Sequence, residues 1–358
     1  MKKIVLILSV AALALASCVK TSDVYTGSPD SRQISFSPLA QPATKADAFN
    51  AVVGDFPDNY QMEVSASLNN GAVYFSDVTF SRASSTWTGS QYWPLSPATL
   101  NFLAVTNWDV TPASVVSTAF TNAAQQAVVT LGNNAPADLT TPAQSAVQHD
   151  LMYAVGRGIV EQSGNGLSYS GNSLGNAAPI DMVFKHALAW VNFTVKTHDS
   201  YSGFLLRSIV LNGAYYGGTY TIDNSSNYNY VYDGTTNNSR VATNVTGTWS
   251  APANQASVAV PGWTSGTAVT TSAAPVGSGL MVVPTYGFAT PADSFSGFTI
   301  NYTINGQDLS YTYPSSQTLE QAKKYTYAIE FTLTGIEIAP SVTAWDPQAA
   351  TNVAVPGV

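Results

Sequence analysis

The chain is poor in the residues that chemistry usually needs. It carries a single cysteine, Cys18, in 358 residues, so a disulfide framework and a thiolate metal site are both excluded and the fold must stand on its core alone. Its three histidines, His149, His186 and His198, are far apart and lack a metal-ligand spacing such as H-E-x-x-H. Charge is scarce as well, at 9% of residues against about 25% in ordinary soluble domains. Ser, Thr, Asn, Gln and Tyr must therefore cover the surface. The formal net charge is −8 with no basic cluster, which leaves nothing to neutralise phosphates and excludes nucleic acid as a partner. Beyond the N-terminus no apolar run is long enough for a membrane-spanning helix, which needs about 20 residues.

What is present begins with Met1 to Cys18, MKKIVLILSVAALALASC. Lys2 and Lys3 form a basic start, Ile4 to Leu15 an apolar stretch of 12 residues, and Leu15-Ala16-Ser17-Cys18 closes it. That stretch is too short to span a bilayer and has the build of a signal peptide. The Leu-Ala-Ser-Cys ending resembles the lipobox of bacterial lipoproteins. The resemblance implies a cut between Ser17 and Cys18, a lipid on the Cys18 thiol and an acyl chain, such as palmitate, on the freed amine. Several chains give an anchorage that one cannot, at about 0.8 kcal/mol per buried methylene. An ordinary cleaved signal with an incidental cysteine is the alternative. Removing 17 residues from 358 leaves 341, enough for about two domains, and the loss of two lysines takes the net charge from −8 to −10.

Val19 to about Arg32 is small and polar, a tether between lipid and body. Beyond it a period of two dominates. Tyr325, Tyr327, Ile329, Phe331 and Leu333 fall on one face, with Thr326, Ala328, Glu330 and Thr332 on the other. Val191, Phe193 and Val195 alternate with Asn192, Thr194 and Lys196 in the same way. Both are signatures of half-buried strands. Phe298, Ile300, Tyr302 and Ile304 lead to Asn305-Gly306, after which Leu309, Tyr311 and Tyr313 return. Asn-Gly suits a tight primed turn, so a hairpin is predicted here. Further strands are predicted over Met62 to Leu68, Val73 to Phe80, Leu100 to Val105, Gln126 to Leu131, Leu205 to Leu211 and Leu280 to Pro284. Only Pro112 to Gln126 has a pattern compatible with a short helix. Many short strands with turn-rich breaks indicate antiparallel sandwiches or barrels. The expected fold is all-β, two tandem antiparallel β-sandwich domains with few short helices. The expected division is a signal over 1–17, a lipidated tether over 18–32, a first strand and cleavable pro-segment over 33–45, and sandwiches over 46–178 and 179–358.

Catalytic motifs are nearly missing. Gly171-Asn172-Ser173-Leu174-Gly175 matches G-x-S-x-G, the nucleophile elbow that needs a buried strand before it and a helix after it. Ser168 to Gly171 and Asn176-Ala177-Ala178-Pro179 offer neither, so the string reads as loop. Phosphate loops and calcium loops are absent, and His186 reads as a structural histidine. Scattered carboxylates leave a glycosidase pair open by spacing alone. The expectation is no enzyme, no metal and no cofactor. Tyr215-Tyr216 and the Tyr220 to Tyr232 segment place tyrosines in an Asn-rich, loop-like context, where exposed rings can stack on sugars or cover an interface.

Four stretches follow one another along the chain. The lipobox is followed by Ile34-Ser35-Phe36 and Thr44-Lys45-Ala46. Trp87 precedes Tyr92-Trp93-Pro94 and Leu100-Asn101-Phe102. Phe184-Lys185-His186-Ala187-Leu188-Ala189 leads into a strand. Tyr325-Thr326-Tyr327-Ala328-Ile329 runs through to Trp345. In this order and spacing they resemble the fimbrillins of the Bacteroidetes, the lipoprotein-precursor pilins of type V pili. The resemblance implies two β-sandwiches of transthyretin-like type and export to the cell outer membrane as a surface-exposed lipoprotein. It also implies a trypsin-like protease that cuts after a basic residue past the first strand. A strand of the next subunit then fills the vacated groove, and the product joins the fimbrium and supports adhesion. Lys45-Ala46 is the expected cut, because Arg32 lies before the strand and would not release it. Ile34 and Phe36 mark the exchanged strand. The implied partners are other pilus subunits, of the same or another kind, the lipoprotein-processing enzymes, the protease, the membrane reached through the lipid, and a ligand on a host or bacterial surface. The tail from Asp346 to Val358 alternates at Val353 and Val355 but is interrupted by Pro356-Gly357, so donor strand and mere terminus both stay open, as do stalk, tip and anchor positions. The alternative from another class is a monomeric surface glycan-binding lipoprotein.

Overall fold

The computed structural model describes residues 32–40, 60–68, 71–83, 86–106, 116–121, 125–136, 148–164, 166–170, 179–198, 203–224, 247–285, 295–315, 317–332 and 335–345. Among them every regular element is a strand, and no α-helix is present. Twenty strands form three sheets.

The first sheet holds β1 (Gln33–Ala40), β2 (Gln61–Leu68), β3 (Val73–Ala83), β4 (Thr86–Tyr92), β5 (Ala98–Thr106), β8 (Met152–Ser163), β9 (Gly166–Ser170) and β10 (Ile180–His186). Their order is β10-β1-β4-β3-β2-β5-β8-β9. β10 also pairs with β8, through Lys185 and His186 against Tyr153 and Met152, so the sheet curls back on itself around a core. Inside lie Ile34, Phe36, Met62, Val64, Phe80, Trp87, Phe102, Ile180, Met182 and Phe184. β5 is buried on both faces, since Phe102 and Ala104 point into this core while Leu103 and Val105 point out of it into another. A strand covered on both sides reads as a near-continuous apolar run, and Leu100 to Val105 is one.

The second sandwich packs two sheets face to face. One has the order β15-β11-β19-β20, from β15 (Ala274–Pro275), β11 (Ala189–Thr197), β19 (Lys323–Phe331) and β20 (Ile336–Ala344), with β16 (Leu280–Val282) also on β11. The other has the order β18-β17-β12-β7-β6, from β18 (Gln307–Pro314), β17 (Gly297–Ile304), β12 (Leu205–Asp223), β7 (Gln126–Leu131) and β6 (Val116–Thr121). β13 (Gly247–Ala259) and β14 (Thr267–Ala268) pair with β12 off that path. The predicted alternation of β11 and β19 is real: Val191, Phe193, Val195, Tyr325, Tyr327, Ile329 and Phe331 all enter the shared core. The hairpin is real too. β17 and β18 pair from Ile304 with Gln307 back to Gly297 with Pro314. Asn305 and Gly306 turn the chain at φ values of 51° and 77°, the two left-handed residues of a primed turn.

Four features differ from the expectations. The helix-compatible stretch Pro112 to Gln126 carries β6 over Val116–Thr121, because those residues complete a ladder with β7 and weak local propensity yields to pairing. Two pairings are parallel, β1 with β10 and β11 with β19; both join strands distant in the chain, as a parallel pair requires. Ser168 falls in β9, so an edge strand does precede Gly171-Asn172-Ser173-Leu174-Gly175, which itself lies outside the described residues. Finally, Tyr215, Tyr216 and Tyr220 are not in a loop. They lie in β12, and Tyr216 and Tyr220 are fully buried.

The chain interleaves the sheets. β6 and β7, which follow β5, pair with β12, whereas β10, which follows β9, completes the first sheet. A third core fills the joint: Leu103, Val105, Tyr153 and Val155 from the first sheet meet Trp190, Tyr220, Trp249, Met281 and Trp345. The Trp249 indole donates to the Ala187 carbonyl at 2.6 Å, and the Gln148 side chain bonds Met281 N–H and C=O at 2.8 Å each. β12 serves both cores by changing partners near Gly217, where a side chain would strike the Gly132 carbonyl at 2.5 Å.

Candidate functional site: the seat of the first strand

β1 is a short apolar strand held in the middle of its sheet. On one side Phe36, Ser37, Pro38, Leu39 and Ala40 run parallel to Ile180 through Phe184 of β10. On the other, Gln33, Ser35 and Phe36 oppose Tyr92, Thr88 and Trp87 of β4, with an irregularity between Gln33 and Ser35. The alternation read from the sequence places Ile34 and Phe36 inward, and both are 0% exposed. Phe36 is the better anchored: its ring stands edge-on to Phe80 at 4.9 Å and to Phe102 at 5.3 Å, the favoured arrangement for aromatic quadrupoles. Burying one such ring contributes about 2–3 kcal/mol. At the strand's start, the Trp93 N–H donates to the Arg32 carbonyl at 2.9 Å and the Gln33 amide to the Gly89 carbonyl. Taking β1 away would leave a slot walled by Phe80, Trp87, Phe102 and the β10 side chains, with unpaired main chain on both flanks.

Of the residues singled out from the sequence, the structure brings Ile34 and Phe36 together in one seat. Ser17, Cys18, Lys45 and Ala46 lie outside the described residues. The seat itself was missed. Ile180, Met182 and Phe184 alternate as clearly as any predicted strand, and that period was the available signal.

Elsewhere the polar groups serve packing. His186 Nδ1 lies 3.0 Å from Asp150 Oδ1, both buried, and the imidazole stacks on the Trp345 indole at 4.0 Å and 6°. His149 is fixed through its N–H, which donates to the Asn134 side chain at 2.6 Å. Burial pushes the Tyr60 phenol well above its ordinary range, and the nearby Asp150 charge adds to this. Burial does the same to Tyr216. His198 sits apart on the surface against Glu330 at 3.1 Å. Among the described residues no three His, Cys, Asp or Glu side chains are grouped to hold a metal, and no helix is long and apolar enough to cross a membrane. Tyr216 and Tyr220 are fully buried and offer no sugar platform, Tyr220 packing against Tyr153 at 5.5 Å and Trp249 at 4.9 Å, whereas Tyr215 is half-buried and Tyr228, Tyr230 and Tyr232 lie outside the described residues.

Residues 49–345 match the model of the fimbrillin-like family. The chain is a member of that family. Its fold is similar to that of a fimbrial protein from Bacteroides vulgatus, at 13% identity and a TM-score of 0.50, covering 88% of this chain and 99% of that one. Weaker likenesses are a fimbrial assembly protein from Parabacteroides distasonis (10% identity, TM-score 0.39, 87% and 98% covered) and a candidate cell adhesion protein from Bacteroides uniformis (15% identity, TM-score 0.45, 89% and 100% covered). No curated protein matches the chain. The fimbrillin match begins four residues past Lys45, at residue 49, and so leaves out β1.

Proposed function

We propose that this fimbrillin is the precursor of a structural subunit of cell-surface pili, not an enzyme, and that β1 is a removable strand. It travels as a lipoprotein, is cut after Ser17 and is anchored to the outer membrane through Cys18. A trypsin-like protease then cuts between Lys45 and Ala46. β1 leaves with the lipidated segment, and a strand of a neighbouring subunit, of this or another kind, takes its place in the fimbrium.

The observation that carries this reading is the seating of β1. Its inward Ile34 and Phe36 side chains are fully buried, yet its neighbours β4 and β10 are remote in the chain, so one cut after it frees the whole strand. The match that starts at residue 49 supports a body complete without β1. A replacement strand must offer two large apolar side chains two residues apart and main-chain groups for both flanks, the mode of recognition known as strand addition.

Trypsin treatment of the lipid-free precursor, followed by mass spectrometry and electron microscopy, tests this. The expected product is a stable core that begins at Ala46 and assembles into rods, while a Lys45→Ala precursor stays monomeric under the same protease. A core that keeps Ile34 and Phe36 and remains monomeric would sink the proposal, and so would a Lys45→Ala chain that polymerises as well as the unaltered one.

A further inference from the structure

The seven-stranded sheet ends in β18, and its outer edge faces no strand among the described residues. The two-residue turn makes Ile304 and Gln307 the first hydrogen-bonded pair. Leu309, Tyr311 and Tyr313 therefore spend their main-chain groups on β17. Asp308, Ser310 and Thr312 turn theirs outward.

Among the described residues the other edges are shorter or interrupted. β6 has six residues, β9 five and β15 two, β13 is broken by Pro252 and by register shifts against β12, and β20 is interrupted by Pro340 and carries Glu337. β18 runs for eight residues with its only proline at the last position, Pro314. Its single charge, Asp308, is engaged by the Thr303 hydroxyl and by the Arg207 guanidinium at 3.5 Å. Long, neutral, unpaired edges are templates for another chain. The side chains add an incentive. Leu309, Tyr311 and Tyr313 lie opposite Tyr302, Ile300 and Phe298, on the core side of the sheet, but Leu309 and Tyr311 remain 45% and 38% exposed.

We propose that β18 is a self-association site, which takes β18 of a second copy antiparallel across a two-fold axis through Tyr311. The strand is complementary to itself in that register. Tyr311 faces Tyr311 of the second copy, and Leu309 faces its Tyr313, so apolar meets apolar on the core side. On the outer side Ser310 faces Thr312, hydroxyl to hydroxyl, and these are the residues whose main-chain groups point outward. Pro314 of each copy then falls at an end of the ladder, opposite Asp308 of the other, where its missing N–H costs one bond at each end. The contact is isologous, as a closed dimer requires. A single ribbon of this length is weak alone and gains strength where many copies are arrayed side by side. It does not require β1 to leave, so it stands or falls separately from strand exchange.

The test uses the uncut full chain carrying Cys18→Ser, in which any introduced cysteine is the only one. Opposed residues at the two-fold, in the close non-hydrogen-bonded position, have Cα atoms about 4.5 Å apart, within reach of a disulfide. Tyr311→Cys is expected to give a disulfide-linked dimer on mild oxidation. Gln307→Cys is expected to stay monomeric, because the two copies of residue 307 would lie about 27 Å apart at 3.4 Å per residue. In sedimentation equilibrium, Tyr311→Lys, which sets two ammonium groups face to face, should abolish the dimer seen with tyrosine. A Tyr311→Cys chain that stays monomeric, cross-linking of Gln307→Cys as fast as Tyr311→Cys, or sedimentation unchanged by Tyr311→Lys would each overturn the proposal.

Discussion

Two strands of similar length are held in opposite ways. β18 is tied to β17 by a two-residue turn and an unbroken antiparallel ladder, so it cannot leave without unmaking its own hairpin. β1 is embedded more deeply, with two side chains at zero exposure, yet nothing local holds it. Phe36 meets Trp87 and Ile180, far along the chain. Burial sets how much a strand contributes to stability, whereas connectivity sets whether it can be exchanged. A deeply buried but remotely paired strand is suited to strand exchange, and a locally paired edge strand is suited to growth of the sheet.

The largest expected effect tests that distinction directly. Phe36→Ala should destabilise the uncut precursor by about 3–5 kcal/mol, the usual cost of deleting a buried phenylalanine ring, read from urea denaturation. Phe298→Ala in β17, equally buried and 4.8 Å from Phe193, should cost a similar amount. After cleavage the two must part: the Phe36 effect vanishes because the residue has left, while the Phe298 effect persists. Persistence of both would show that β1 stays seated.

The joint between the sandwiches comes next. Trp249→Phe keeps most of the ring but removes its hydrogen bond to the Ala187 carbonyl, leaving that acceptor without its partner. The expected loss is about 2 kcal/mol, with thermal unfolding of the two sandwiches drawn apart in calorimetry. A single unshifted transition would show that the third core does not couple them.

Gly306→Ala should cost about 1 kcal/mol. The space around Gly306 is open, but its φ of 77° strains any side chain. A free energy of unfolding unchanged within error would mean that the hairpin relaxes into another turn.

This hairpin also marks the part of the fold that could be read directly. Asn305-Gly306 and its flanking alternation are local signals, and so are Val191 to Val195 and Tyr325 to Phe331. Neighbours are another matter. Nothing in Ile180-Asp181-Met182-Val183-Phe184 says that it lies beside β1, because partner choice is decided by packing across the whole chain. β12 runs on to Asp223 through glycines and tyrosines of loop-like composition, since β13 and β7 flank it. β6 is a strand for the same reason. Of the candidate site, Ile34 and Phe36 were legible because alternation shows which side chains turn inward. The wall that receives them was not.

The smallest effect concerns the surface of the five-stranded sheet, where Glu330 of β19 is bracketed by Lys196 at 2.7 Å and His198 at 3.1 Å. Hydrogen bonds from Lys196, then from His198, hold the Glu330 carboxyl below its ordinary value of 4.5. A carboxyl lowered by folding favours the folded state when ionised. Its contribution is therefore complete above about pH 4.5 and is lost as the pH falls through the lowered value. Glu330→Gln should lower stability slightly at and above about pH 4.5, flatten the profile in the acid window below it and leave stability unchanged once the carboxyl of the unaltered chain is protonated, a difference that solvent and salt keep small. The same substitution also sharpens the contrast between the edges of the second sandwich. Glu330 lies directly opposite Glu337 of β20, and like charges opposed across a ladder are unfavourable. Relief of that repulsion offsets part of the lost ion pair. A profile that steepens in acid after Glu330→Gln would mean that the repulsion, not the bracket, governs this face.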